Sequence, residues 1–260
     1  MSLSLENPSS YYTMTRKYDL HYRDLEGDIE AEVVIIGGGF SGINTALELA
    51  ERGITNVVVL EANYMGFGGS GRNGGHVMAG IGHDLENIEK DVGPEGLKAI
   101  FEISDMGASL IKQRIARYDV QADFRHGYGT AGMLLEYVPL DLKAWNHKKM
   151  LRLFPCLATT KIDLAWGGPM DCSLNLFPQV GTLDEYPNVF YVQGYSGFGV
   201  TPSQVIARVI ADGMSGGSPA WDAMSSIPRK RIFGKDRLRA VLCSLGKVSR
   251  QLNAYRVGRR

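Results

Sequence analysis

The stretch Val33-Val34-Ile35-Ile36-Gly37-Gly38-Gly39-Phe40-Ser41-Gly42 decides the fold class. Four apolar residues in an unbroken run, closed by glycines, read as a buried parallel strand. Helical periodicity follows, with Ile43, Ala46, Leu47 and Ala50 on one face and Gly53 as the stop. A second apolar run, Val57-Val58-Val59-Leu60, closes on Glu61. Together these make one βαβ unit with an expected right-handed crossover, and so an α/β fold.

At the first strand-to-helix turn the glycines have the spacing Gly37-x-Gly39-x-x-Gly42. In a dinucleotide turn the first glycine allows the sharp bend and the second lets backbone approach a pyrophosphate. The third lets helix and strand pack closely. The helix start, from Gly39 through Phe40 and Ser41 to Gly42, offers N–H groups and partial positive charge to phosphate. Glu61 ends the next strand, where a carboxylate can accept hydrogen bonds from a ribose, and favours FAD or NAD over NADP. Its offset from the glycines slightly exceeds the roughly 20 residues typical of the motif, as a helix of normal length requires. Such a spacing alone is weak evidence. An ordinary βαβ turn without ligand is the bland alternative, disfavoured because strand, glycines, helix, strand and acid occur in order.

Farther on, Gly68-Gly69-Ser70-Gly71-Arg72-Asn73-Gly74-Gly75-His76 combines backbone donors with a hydroxyl, an amide and a cation. Ser70, Arg72, Asn73, Gly74 and Gly75 suit a phosphate or a flavin edge. A flexible surface loop is the alternative.

Other segments read more coarsely. Residues 85–118 form two helices broken at Gly93-Pro94, with Leu97, Ile100, Ile103, Leu110, Ile111 and Ile115 facing inward. Residues 150–154 suggest a short helix, and 162–166 and 189–192 suggest strands. Pro202 suits the first turn of a helix over 202–214.

The bulk numbers are those of a folded globular protein: 260 residues, 44% hydrophobic and 22% charged. Lys+Arg and Asp+Glu both number 28, so charge gives no case for nucleic-acid binding. Cys156, Cys172 and Cys243 are dispersed and odd in number, which argues against a disulfide framework and fits a reducing compartment. No signal-peptide pattern or membrane-length apolar run is found, and the expectation is a cytoplasmic protein without integral membrane contact. No His/Cys/Asp/Glu cluster has metal-ligand spacing, so no metal is expected.

Residues 31–76 resemble the FAD-binding start of the D-amino-acid oxidase and sarcosine oxidase superfamily. Within it, Ser9-Ser10-Tyr11-Tyr12 and the loop 66–75 resemble the gamma-glutamylputrescine oxidoreductase group, with Gly69 where Ala is usual and His76 where Gln is usual. Leu153-Phe154-Pro155, residues 163–168, Pro178-Gln179-Val180-Gly181 and residues 193–200 resemble the segment that returns to the flavin. Leu176 stands where the group tends to have Arg, and Phe198 replaces a frequent His. The resemblance covers roughly residues 9–133 and 148–245, and the family's middle portion is missing between them.

The resemblance implies a Rossmann-like FAD-binding domain over 31–123 and 186–260, a reduced substrate domain over 124–185 and a lead-in over 1–30. It places Gly197, Gly199 and Val200 near the flavin's pyrimidine end. FAD is expected to be non-covalent, because the attaching His of covalent relatives aligns nearer Arg72 than His76 or His83. The implied reaction is hydride loss from a neutral amine, giving an imine and then an aldehyde, with a gamma-glutamylated polyamine as substrate. No catalytic base is assigned. The basic C-terminal tail carries Leu238, Val241, Leu242, Leu245 and Leu252 on one helical face. Docking on its own domain is favoured there over a membrane surface. Two alternatives stand: a non-catalytic, internally shortened remnant, and an NAD-dependent dehydrogenase, which the loop 70–75 argues against.

Overall fold

The computed structural model describes residues 10–18, 20–82, 85–127, 142–168 and 170–229. His83 and the apolar face expected over Leu238–Leu252 lie outside these residues. The chain divides into two compact units, residues 1–124 with 141–228, and 125–140 with 229–260. All the elements below belong to the first.

A single helical turn, α1 (Tyr11–Met14), opens on a reciprocal Ser10/Thr13 capping box. The βαβ unit follows as β1 (Val33–Ile36), α2 (Phe40–Glu51) and β2 (Val57–Leu60). β1 and β2 pair in parallel, Val33 opposite Val57 through Ile36 opposite Leu60. Gly53, at φ +86°, ends α2 as its sequence position requires.

Two expectations about this unit are corrected. β1 is not a buried strand, since Val34 is 53% exposed and Ile36 89% exposed. Only β2 hydrogen-bonds to β1 among the described residues, so the sheet has two strands and β1 alternates between covered and open positions. The apolar face of α2 is also not its buried face, and Ile43 is 41% exposed. Asn44, Thr45, Glu48 and Leu49 are buried instead, on the opposite side of the helix.

That polar side is buried because it meets charges on two other helices. α3 (Leu85–Arg117) kinks at Gly93, whose φ is +71°, ahead of Pro94, so the expected break is present. Ile100 and Leu110 are buried on its inner side. Its Arg114 donates to Glu48 Oε1 at 2.6 Å, Glu51 Oε2 at 2.9 Å and Gln204 Oε1 at 2.7 Å. Burial would raise the Glu51 carboxyl, but hydrogen bonds from Arg114 and Tyr118 and the charges of Arg114 and Arg117 hold it below the usual range.

Next come α4 (Leu142–Leu153), longer than the helix expected at 150–154, and the antiparallel hairpin of β3 (Gln179–Leu183) and β4 (Tyr186–Gln193). The expected boundary at 185/186 falls in the turn of this hairpin. Residues 162–166 carry no strand: no strand among the described residues pairs with them, and Trp166 instead meets Tyr12 edge-on at 5.6 Å. α5 (Pro202–Met214) spans the expected range with Pro202 in its first turn. α6 (Pro219–Ser226) is capped by Ser218, whose hydroxyl accepts the Trp221 N–H.

The apolar core lies among α3, α5, α6 and the hairpin, where Ile88, Ile100, Phe177, Val180, Ile206 and Met224 are buried. The βαβ unit therefore joins the core through α2 packed on α5, and the charged network links α2 to α3 and α5.

Candidate functional site

Gly37 closes β1 with φ +106°, a conformation that side-chain-bearing residues rarely adopt. Its N–H donates to the Leu60 carbonyl at 2.8 Å, tying the turn to the end of β2. A Cβ on Gly42 would lie 2.0 Å from the Gly37 carbonyl oxygen, so helix and strand meet backbone to backbone there. Gly39 serves as N-cap of α2 and makes no side-chain cap. In the first turn of a helix, the N–H groups of Phe40, Ser41 and Gly42 have no acceptor one turn earlier within the helix.

Glu61 reaches this turn. Its Oε2 accepts the Gly38 N–H at 2.8 Å and its Oε1 accepts the Asn63 N–H at 3.0 Å. A carboxylate has about four lone-pair sites, so capacity remains for sugar hydroxyls. Ser70 reaches the same turn from the second glycine loop, its Oγ accepting the Phe40 N–H at 2.9 Å.

Arg72 and Asn73 brace the loop that carries Ser70. Arg72 Nε donates to the Phe67 carbonyl at 3.0 Å, and its guanidinium lies 4.9 Å from the Phe67 ring centre. Asn73 Nδ2 donates to the Gly69 and Ser70 carbonyls at 3.1 and 2.8 Å, while its Oδ1 accepts the Gly75 N–H at 2.8 Å. Gly75 takes φ +67°, and a Cβ on Gly74 would meet the His76 ring.

The third segment, residues 194–200, arrives from the end of β4. Tyr195 Oη and Ser41 Oγ are 2.9 Å apart, so this distant turn is hydrogen-bonded to the start of α2. Burial pushes the Tyr195 phenol well above its ordinary value, the Ser41 contact only partly offsetting it. Gly197 has φ +92°, Gly199 O accepts the Ser203 N–H in the first turn of α5, and Val200 O accepts the Ser203 hydroxyl. Thr201, also buried, accepts the Met78 N–H at 3.0 Å.

Of the expected site residues, Gly37, Gly39, Phe40, Ser41, Gly42, Glu61 and Ser70 therefore meet at one turn. Arg72, Asn73, Gly74 and Gly75 stand one loop away, and Gly197, Gly199 and Val200 follow Tyr195. Tyr195 and Gly38 are the residues that sequence reasoning did not single out. The position of Tyr195 inside a glycine-rich run that ends a strand was the available signal.

Residues 32–136 and 127–213 match the family described as FAD dependent oxidoreductase. The chain belongs to that family. Its match comes in two stretches rather than one, in keeping with a family sequence that lacks its middle portion. Among relatives, gamma-glutamylputrescine oxidoreductase of Escherichia coli (strain K12) is 38% identical over 122 residues, 47% of this chain and 28% of that protein. A probable oxidoreductase OrdL of Haemophilus influenzae is 37% identical over 128 residues, 49% of this chain and 30% of that protein. Sarcosine oxidase subunit beta of Rhizobium meliloti is 60% identical over 43 residues, 16% of this chain and 10% of that protein. Each of these matches thus spans less than a third of the relative's length. No solved structure matches significantly.

A Rossmann-like FAD-binding fold is what membership of the FAD-dependent oxidoreductase family implies, and the described βαβ unit is its opening portion. The residues present fit the group: a glycine cradle that a Cβ would fill, helix N–H groups facing the turn, and a carboxylate at its rim. No helix among the described residues is long and apolar enough to cross a membrane.

Proposed function

We propose that this FAD-dependent oxidoreductase holds its cofactor non-covalently and oxidises the C–N bond of a small amine, with a gamma-glutamylated polyamine as the leading substrate class. The observation that carries this reading is the convergence of Glu61, Ser70 and Tyr195 on one glycine turn. The first turn of α2 would hold the diphosphate through backbone N–H groups and its partial positive charge. Glu61 would accept the ribose hydroxyls, and Ser70 sets the Phe40 end of the turn. Gly197, Gly199 and Val200, at the start of α5, would hold the ring end. Bound FAD supplies the two-electron oxidation, and the protein's part is to orient the amine and exclude water. The substrate class rests on likeness to the gamma-glutamylputrescine relative, and the cytoplasmic assignment on the cysteine pattern.

A second reading is favoured by a specific observation: each match covers less than a third of the relative's length, and the family match is split. On this reading the chain binds FAD without turning over an amine, and residues 124–185 are the remnant of the substrate domain.

One preparation separates the two. Purified protein should carry a yellow flavin spectrum, and anaerobic gamma-glutamylputrescine should bleach it. A flavin spectrum that no amine bleaches supports the remnant, and a colourless protein that takes up no added FAD overturns both.

A further inference from the structure

Tyr195 stands in a glycine-rich turn whose residues on both sides are hydrogen-bonded in place. Gly194 and Ser196, on either side of it, both have positive φ, +77° and +52°. At Ser196 that conformation costs energy, because a side chain crowds the backbone there. It persists because the surroundings fix it. The Ser196 N–H donates to the Asp171 carbonyl at 2.9 Å and its hydroxyl to the Gly194 carbonyl at 3.0 Å. The Ser173 N–H donates to Ser196 Oγ at 3.2 Å, and Asp171 Oδ2 accepts the Gly194 N–H at 2.5 Å. Two backbone reversals thus aim the Tyr195 ring at the core, with its hydroxyl on Ser41.

Packing alone would be served by phenylalanine, so the hydroxyl calls for its own account. A serine hydroxyl carries one proton and two acceptor sites, and a phenol is the stronger acid of the two. With Tyr195 as donor, Ser41 keeps its own proton for a third group. Ser41 stands in the first turn of α2, where anionic oxygens are favoured.

We propose that Tyr195 is a positioning residue for the cofactor's diphosphate, donating to Ser41 so that the Ser41 hydroxyl proton is directed to an anionic oxygen. This rests on the flavoprotein reading above and adds a relay to it. Hydrogen bonds in such a chain polarise one another, so the phenol strengthens the serine's contact without touching the ligand. A phenol is protonated at neutral pH and so has a proton to donate.

The test is a double-mutant cycle in the full chain, with Tyr195→Phe, Ser41→Ala and the combination, each titrated with FAD and with ADP. Thermal midpoints of the cofactor-free proteins are recorded beside them. Tyr195→Phe should weaken both ligands about fivefold to tenfold, as loss of support for a charge-assisted hydrogen bond requires. In the Ser41→Ala background the same change should have almost no further effect. Wild-type affinity in Tyr195→Phe overturns the proposal. So does a loss that persists undiminished without Ser41, since the phenol would then act by packing, and a lowered midpoint would accompany it. A wild-type chain that binds neither FAD nor ADP overturns the flavoprotein reading itself, and the relay with it.

Discussion

The Glu61 carboxylate accepts the backbone N–H of Gly38, 23 residues earlier in the chain, at 2.8 Å. This contact links the end of one parallel strand to the turn after the other. It places negative charge at the rim of the glycine turn, where a ribose rather than a phosphate is the suitable neighbour. Glu61→Ala should leave the Gly38 and Asn63 N–H groups without their acceptor and remove the sugar contact. FAD affinity should fall by roughly tenfold to a hundredfold, about 1–3 kcal/mol, in a flavin fluorescence titration. Unchanged affinity would remove Glu61 from the site.

The two glycines of the helix start should respond differently to alanine. At Gly42 the added Cβ would lie 2.0 Å from a backbone oxygen, which cannot yield without moving α2 off β1. At Gly39 it would meet the Ser70 side chain, with Oγ at 3.0 Å, which can turn aside at the cost of its hydrogen bond from the Phe40 N–H. Gly42→Ala should lose several kcal/mol or fail to fold, on the order of other overpacked sites. Gly39→Ala should keep its thermal midpoint within a few degrees and lose cofactor affinity. Equal midpoints for the two variants would contradict this contrast.

Arg114 neutralises two carboxylates in a nearly dry site, with the Glu48 side chain only 3% exposed. Arg114→Ala should cost about 1–3 kcal/mol in urea unfolding, because Glu48 then keeps only its longer contacts to Arg208 and Arg52. Adding Glu48→Gln to the alanine variant should restore part of that loss. A variant no less stable than wild type would mean that the network contributes no net stability.

The network also predicts a direction with pH. The folded-state pKa of Glu51 is lowered from 4.5, so the unfolded chain binds the proton more readily. Stability from this group is present above pH 4.5 and is lost as pH falls through the lower folded value. Thermal midpoints measured from about pH 3 to 6 should fall more steeply on the acid side for wild type than for Glu51→Gln. Parallel profiles would show that Glu51 does not contribute.

What the residues disclosed in advance was mostly local. The apolar run ending at Gly37, the helix stop at Gly53 and the Gly93-Pro94 break depend on backbone rules that act within a few residues, and each is found where its residues stand. The inner side of α2 departs from its apolar periodicity for a physical reason. Periodicity counts apolar residues, whereas Glu48 is buried by partners 66 and 160 residues away, Arg114 and Arg208. Spacing could nominate Glu61 and Ser70 for the turn, since motif order implies their proximity. It had no means of pairing Ser41 with Tyr195, because that contact depends on the packing of two elements 154 residues apart.

The open side of β1 has a practical consequence for handling the protein. Val34 and Ile36 present bare hydrocarbon, and no strand among the described residues pairs with the rim of β1 away from β2, a row of amides able to recruit another extended chain. Concentrated stocks should therefore lose protein through strand-templated misassembly, and a lysine at position 36 should slow that loss by putting charge where two such rims would meet.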